Sequence, residues 1–396
     1  MILLDKIALI DDKGRSYTYE QLNIEQSNFA KLINANCLMF LVCTNTIECI
    51  VAYVSCIHNK IPVLLVDKNI LPERYDKLVS DFKPDYIYMP LDSRCINNDY
   101  DCIYENRKYN LLKRFNANNN IPMYEELALL ISTSGSSGSN KHVRISYDNL
   151  SHNTYAIAKA LNICKDDVAI TSLPMNYCYG LSVINTHLYC KATILVTEET
   201  IVSKKFWNFA NEYKATTFAG VPYSYETIKK LRLFKRLDRP FEKLLHSGGK
   251  LGEEASLWLR QYARENDANL YLMYGQTEAT ARMTLFNAKD GHVGSVGKAL
   301  DDCKISIYAH ENEIARPYEK GEIIFEGLNV SLGYATSRDD LKLKDVNNGV
   351  INTGDIGYTD EEGYLYIVAR KDRVVKINGL RIKLDEIEQL LKDRFG

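Results

Sequence analysis

Two uninterrupted apolar runs constrain this chain more than any other feature. CLMFLVCT (37–44) and IPVLLVD (61–67) carry no polar side chain before their last residue. A strand with one wet face alternates apolar and polar residues, so a strand-length run without alternation is buried on both faces. Between the two runs, TIECIVAYVSCIHN (46–59) reads as a helix. The rhythm returns as strand ATILVT (192–197), helix KKFWNFANEY (204–213), strand ATTFAGVP (215–222) and helix YSYETIKKLR (223–232). Strands separated by helices are not joined by hairpins. The pattern therefore predicts an α/β fold with a largely parallel, helix-covered sheet. After about residue 300 the character changes. CKISIYA, GEIIFEG, GYLYIVAR and VVKING are short strands punctuated by Gly and Asn, which predicts a smaller β-rich lobe.

Bulk properties exclude several classes. The 396 residues are too many for one ordinary domain. A formal net charge of -2 offers no basic field for nucleic acid or anionic lipid, so neither is expected as a partner. The N-terminal MILLDKIALIDDKG breaks its apolar run at Asp5 and Lys6, unlike a secretory leader. No stretch reaches the roughly 18 uninterrupted apolar residues of a membrane-spanning helix. The ten cysteines include no CxxC pair, and the seven histidines show no metal spacing. Reduced thiols in the cytoplasm are the expectation.

STSGSSGSNK (132–141) raises the functional question. Its composition suits a flexible linker. Yet LALLIS, strand-like, feeds into it, and VRISYDNL leads out through a second strand to a helix start at Asp148. Glycines permit a tight turn with inward backbone N–H groups, hydroxyls add donors, and lysine adds charge, which together match phosphate oxygens. It is not the P-loop of nucleotide hydrolases, because Gly135 and Gly138 stand two residues apart and His142 follows Lys141.

Five stretches in order resemble the adenylate-forming enzymes, the family of acyl-CoA synthetases, carrier-protein adenylation domains and luciferases. TSGSSGSNK (133–141) resembles the phosphate loop, and LPMNYCYGLS (173–182) the substrate and gating motif. HSGGKL (246–251) with YGQTEA (274–279) resembles the adenine and magnesium motifs. NTGDIGYTDEEGYLYIVARKD (352–372) resembles the ribose and hinge motifs, and VKINGLRIKLDEIE (375–388) the start of the C-terminal lid. SYTYEQL (16–22) adds a weaker match. The implied fold is a large N-terminal domain, 1–371, of two stacked α/β subdomains plus a small β-rich subdomain. Residues 372–396 would hold the hinge and the beginning of the lid.

The resemblance implies a two-step reaction. A carboxylate attacks the α-phosphate of ATP to give acyl-AMP and pyrophosphate, with Mg2+ as cofactor. The thiol of CoA, or of the phosphopantetheine on an acyl carrier protein, then displaces AMP. An anion meets a polyanion, so charge neutralisation must dominate. Thr133, Ser134, Gly135, Ser136, Ser137, Gly138 and Lys141 would hold the departing pyrophosphate. Thr277 would donate to the α-phosphate and Glu278 would ligate magnesium. Tyr274 and Gly275 would lie by adenine, with Gly248 and Gly249 as the nearby wall. Asp355 would accept the ribose hydroxyls beside Arg370. Tyr177 would gate the acid pocket, with Asn176, Cys178, Gly180 and Gly249 around it. Asp372 falls at the hinge, and Lys376 and Gly379 on the thiol tunnel.

Simpler roles stand beside these. Thr277 could cap a helix over EATAR, Asp355 could be a turn residue, and Arg282 could make a surface ion pair instead of holding an anionic substrate group. There are departures too. Leu272 stands where relatives carry Asn or Gln, Asn140 and His142 flank the loop lysine, and Tyr147 replaces a frequent His. PMNYCYG lacks the Asp that pairs with an α-ammonium, so a small carboxylic acid without one is expected. The last stretch, KLDEIEQLLKDRFG, starts an amphipathic helix with Ile387, Leu390 and Leu391 on one face. The lid lysine of the family has no counterpart here. A trimmed chain that binds ATP and acyl-adenylate but adenylates slowly is the expectation, with a non-catalytic binding module as the alternative.

Overall fold

The structure is a computed structural model that describes residues 5–93, 99–115, 122–133, 141–310 and 313–371, the backbone of strands Val374–Ile377 and Leu380–Lys383, and residue 391. Among the described residues three sheets carry the architecture, with nine, eight and five strands.

The centre of the nine-stranded sheet is parallel. Its order runs Asn269–Tyr274, Lys243–His246, Thr217–Gly220, Val168–Ile170, Thr193–Val196, Ile7–Asp11. Antiparallel strands close both edges. The eight-stranded sheet has a parallel centre of Leu127–Ser132, Val63–Asp67, Met39–Cys43 and Tyr86–Pro90, again with antiparallel additions. The five-stranded sheet is wholly antiparallel. It includes Cys303–His310, Gly321–Gly327, Val350–Thr359 and Leu365–Arg370. The first strand of this sheet in the chain is Cys303–His310.

Side-chain alternation explains the unbroken apolar runs. Met39, Leu41 and Cys43 enter one apolar cluster, while Phe40 and Val42 enter another on the opposite face. Leu9, Ile194 and Val196 join the first cluster from the other parallel sheet, while Ile10 and Leu195 face a third. One core thus joins both sheets. Helices Tyr19–Ala30, Ile47–His58 and Cys178–Tyr189 supply its middle layer. Outer helices Lys204–Glu212, Pro222–Leu231 and Glu253–Glu265 cover one sheet, and Pro72–Phe82 covers the other. Each fully buried aliphatic side chain in these layers contributes about 1.5–3 kcal/mol.

Element ends follow local chemistry. Thr46 caps Ile47–His58 by accepting from the Cys49 N–H. Ser146 and Asn149 form a reciprocal capping box, so that helix opens at Tyr147, one residue before the expected start. The strand expected over 215–222 shortens to Thr217–Gly220 because Pro222 opens the next helix. The amphipathic helix expected at the C-terminus lies outside the described residues apart from residue 391. Among the described residues no helix is long and apolar enough to cross a membrane.

Candidate active site

In open α/β sheets, ligands gather beyond the carboxyl ends of the parallel strands. The strand Asn269–Tyr274 ends on Tyr274 and runs into a short turn, Thr277–Ala279. The neighbouring strand Lys243–His246 leads directly to Gly248 and Gly249. The antiparallel sheet packs onto this edge through Ala279, Met283, Phe325, Val330 and Ile351, with Tyr274 against them.

That packing assembles one polar group from two sheets. The Tyr274 hydroxyl donates to Asp355 Oδ2 at 2.5 Å. Asp355 and Arg370 are opposite each other in the ladder, with Arg370 Nε 3.9 Å from Asp355 Oδ1. The Asp355 N–H donates to Thr353 Oγ1 at 3.1 Å, so Asp355 belongs to the strand and not to a free turn. Burial first, and the Asp355 charge second, push the Tyr274 phenol well above its usual range. Tyr274 is therefore a protonated donor at neutral pH.

A second group surrounds Tyr334. Its hydroxyl donates to Glu278 Oε1 at 2.8 Å, and the Lys141 ammonium stands 5.6 Å over its ring. The bridge exists because Tyr334–Ala335 pairs with His142–Ser146, placing Tyr334 opposite Val143. Sequence reasoning missed Tyr334. Its available signal is a Gly-Tyr pair in SLGYAT (331–336). Gly333 adopts φ +106°, and a Cβ there would meet Val346 Cγ2 at 2.4 Å. Glu278 is half-buried, and its Oε2 accepts from no described residue. A carboxylate with one oxygen uncommitted suits magnesium, which takes few protein ligands and completes its shell with phosphate and water.

Strands Leu127–Ser132 and His142–Ser146 pair antiparallel, with Ser132 opposite His142. The Ser/Gly stretch is therefore anchored at both ends within one sheet and does not separate two units. Thr133 and Lys141 lie at its two ends. Ser134, Gly135, Ser136, Ser137 and Gly138 are outside the described residues, as are Asp372, Gly379 and the side chain of Lys376.

Two expectations are corrected. Thr277 caps no helix: the segment is a three-residue turn that ends at Thr280, φ +65°, with no side-chain cap bond. Its buried hydroxyl instead reaches Cys178 Sγ at 3.5 Å. A β-branched residue at positive φ is strained, and the Thr280 hydroxyl is held by the Asn329 carbonyl at 2.7 Å. Arg282 makes no surface ion pair. It is 1% exposed, because the turn that carries it is sealed under the helix Cys178–Tyr189. Its guanidinium lies 4.2 Å over the Tyr179 ring, with Nε 3.3 Å from Met273 Sδ and Nη1 donating to Ser182 Oγ.

The pocket wall is built by close approach. Gly248 has φ +83°, and a Cβ there would stand 2.7 Å from the Tyr177 hydroxyl and 3.0 Å from Val221 Cγ1. Gly249 turns beside Pro222. Gly275 leaves room for the Ala281 carbonyl, which a Cβ would meet at 1.9 Å. Gly180 is required by packing: a Cβ would stand 2.2 Å from the Pro174 carbonyl. Asn176 is half-buried just before Tyr177, which opens the helix Cys178–Tyr189. Burial raises the Cys178 thiol, so Cys178 is an apolar wall and not a thiolate. Leu272 faces away, into the cluster under the outer helices.

A family described as AMP-binding enzyme matches residues 3–335. The chain is 29% identical over 268 residues to the 2-succinylbenzoate–CoA ligase of Bacillus subtilis, covering 67% of this chain and 53% of that protein. It is 32% identical over 273 residues to the ligase of the same description from Bacillus mycoides, covering 67% and 54%. The chain thus spans about half the length of the curated relatives it matches. Among solved structures, O-succinylbenzoate coenzyme A synthetase (MenE) of Bacillus subtilis, in complex with ATP and magnesium, superposes with a TM-score of 0.78 at 21% identity, covering 98% of this chain and 82% of that one. ATP-bound MatB from Rhodopseudomonas palustris gives a TM-score of 0.76 at 19% identity, covering 97% and 80%. Both likenesses show the fold.

Proposed function

The chain belongs to the AMP-binding enzyme family, and on that premise we propose that it activates a small carboxylic acid with ATP. The products are acyl-AMP and pyrophosphate, and the acyl group then passes to a thiol. The observation that carries the reading is a pair of preassembled groups, one at each end of the segment Tyr274–Glu278 that follows a parallel strand: Tyr274–Asp355–Arg370 and Lys141–Tyr334–Glu278. The first suits a nucleoside, with Asp355 accepting ribose hydroxyls. The second suits polyphosphate, with Lys141 supplying charge at the end of the Ser/Gly stretch.

In this reading Glu278 holds magnesium, and the ion when bound supplies the charge that neutralises phosphate oxygens. Thr277 donates to the α-phosphate from the turn beside the acid pocket. Gly248, Gly249 and Tyr177 exclude water from the reacting carboxylate. Residues 1–371 form the nucleotide-binding unit, with Asp372 as hinge and Lys376 and Gly379 facing the thiol. The names of the curated relatives favour CoA over a carrier protein as the acceptor. Support for the intermediate comes from a similar structure, the Bacillus subtilis synthetase bound to its acyl-adenylate.

The test is acid-dependent exchange of labelled pyrophosphate into ATP, measured on the whole chain. Glu278→Ala and Lys141→Ala are each expected to lower the exchange rate about 10-fold or more, the scale of one preorganised electrostatic contact. Exchange indifferent to both substitutions would remove the site. ATP binding with no exchange across an acid panel would make the chain a binding module instead.

A further inference from the structure

The proposed reaction gives Tyr334 no task, although Tyr334 stands between Lys141 and Glu278. We propose that it is a positioning residue of the metal site: its hydroxyl holds one oxygen of Glu278 so that the other is presented to magnesium. It acts through Glu278 and does not itself meet the nucleotide. This rests on the reading that Glu278 holds the ion, and adds the residue that aims it.

Glu278 cannot aim itself. It stands in the turn Thr277–Ala279, three residues long, which ends on Thr280 at φ +65°. Such a turn has no regular ladder to fix the direction of a side chain. A carboxylate also swings broadly about its last bond, because that torsion joins sp3 to sp2 carbon. Magnesium tolerates this poorly, since it demands near-octahedral geometry from few protein ligands.

The missing direction comes from one neighbouring segment. The Ser331 N–H donates to the Glu278 carbonyl at 2.9 Å, and the Tyr334 hydroxyl donates to Glu278 Oε1 at 2.8 Å. Asn329 Nδ2 donates to the next carbonyl, that of Ala279, at 2.9 Å. Backbone and carboxylate are therefore held from residues 329–334 together. Among the described residues Tyr334 is the one donor to this carboxylate.

The segment is itself immobilised. The Leu332 N–H donates to the Arg144 carbonyl and the Arg144 N–H to the Gly333 carbonyl, both at 2.8 Å, while Arg144 Nε donates to the Tyr334 carbonyl at 3.1 Å. These bonds use the backbone of 332–334 and would accept other side chains at 334. The Tyr334 side chain is 44% exposed, so core packing does not account for it either. What tyrosine adds is a hydroxyl that is a donor at neutral pH. Groups that hold a metal ligand from outside the coordination shell set its orientation, and their loss weakens the metal 10- to 100-fold as a rule.

The experiment titrates ATP binding by calorimetry over a series of Mg2+ concentrations, on the whole chain. Tyr334→Phe keeps the ring under the Lys141 ammonium and removes only the hydroxyl. It is expected to raise the half-saturating Mg2+ concentration about 10-fold or more, with ATP affinity in the absence of metal within about two-fold of wild type and the unfolding midpoint unchanged. Glu278→Gln should raise the Mg2+ requirement too, and the double variant should be no worse than Glu278→Gln alone, because the hydroxyl works only through that carboxylate. An unchanged Mg2+ requirement in Tyr334→Phe, with Glu278→Gln still shifting it, overturns the role of Tyr334 and leaves the metal site standing. So do fully additive losses in the double variant, or a loss of ATP affinity in Tyr334→Phe before any metal is added. ATP binding by the wild-type chain that ignores Mg2+ overturns both.

Discussion

Arg144 and Arg282 are both fully buried cations that touch no carboxylate among the described residues, and they are built in opposite ways. Arg144 is caged by backbone carbonyls. Its Nε donates to the Tyr334 carbonyl at 3.1 Å, Nη1 to Leu343, and Nη2 to Leu332 at 2.6 Å and Lys344 at 3.3 Å. All four acceptors come from the segment that presents Tyr334 to Glu278, so Arg144 fastens that segment to the sheet. Arg282 meets the Ser182 and Tyr179 hydroxyls, the Met273 sulfur and the Tyr179 ring. The difference separates a buried charge whose donors meet backbone carbonyls from one whose donors meet side-chain hydroxyls and a sulfur.

That comparison can be broken directly. Arg144→Met takes the guanidinium donors from four carbonyls, of which Leu332 keeps the Val346 N–H, and is expected to cost about 3–5 kcal/mol in denaturant unfolding, since each buried acceptor stripped of its partner costs roughly 1–3 kcal/mol. Arg282→Met strips only weak acceptors and removes a desolvated charge. It is expected to change stability by less than about 1 kcal/mol, or to raise it. Equal losses for the two substitutions would erase the distinction.

His246 sharpens it from another side. This histidine ends the strand leading to Gly248, is buried, and has an Nε2 with no hydrogen-bond partner. Burial lowers its pKa to about 4, so it escapes the cost of a buried charge by losing its proton. Arginine has no such exit. The sign follows from proton counts. Between an unfolded value near 6.5 and the folded value near 4, the unfolded chain binds more protons, so stability falls as the pH drops through this window. The expected loss is on the order of 3 kcal/mol from this residue, with His187, also lowered to about 4 by burial, adding in the same direction. His246→Gln should flatten part of the stability–pH curve; a curve of unchanged slope would show that His246 is not buried neutral.

The parallel centres of both sheets were legible because burial on two faces leaves an uninterrupted apolar run, as in Met39–Cys43 and Val63–Asp67. The stretches that carry Glu278 and Asp355 were legible as motifs, and the structure sets the two carboxylates against partners those motifs do not record, Tyr334 and Tyr274. Tyr334 was not, since its meaning depends on partners 56 residues away at Glu278 and far earlier at Lys141. No local pattern records that a two-residue edge strand will bring them together. Arg282 was legible as an odd charge near the site, but its burial was not, because the turn that seals it depends on strain at Thr280 and on Asn329 from another segment. The stacking of two sheets on one helix layer was likewise invisible to periodicity. It came from resemblance, and the shared cluster of Leu9 with Leu41 now explains it.

The smallest expected effect on ligand binding lies at Tyr274, where donor and charged acceptor are both already inside the protein. Tyr274→Phe keeps the ring against Ala279 and Met283 and removes only the hydroxyl that holds Asp355 Oδ2. Asp355 keeps its ladder position and Arg370 across from it, so the carboxylate loses orientation and not its charge. ATP binding, followed by calorimetry, is expected to weaken by about 5-fold, or roughly 1 kcal/mol, the net worth of one hydrogen bond to a partly solvated group. A much larger loss would mean that Tyr274 also contacts the nucleotide through its hydroxyl. Unchanged affinity would mean that Asp355 reorients freely, and would place the organisation of the nucleoside half in the strand Val350–Thr359 alone.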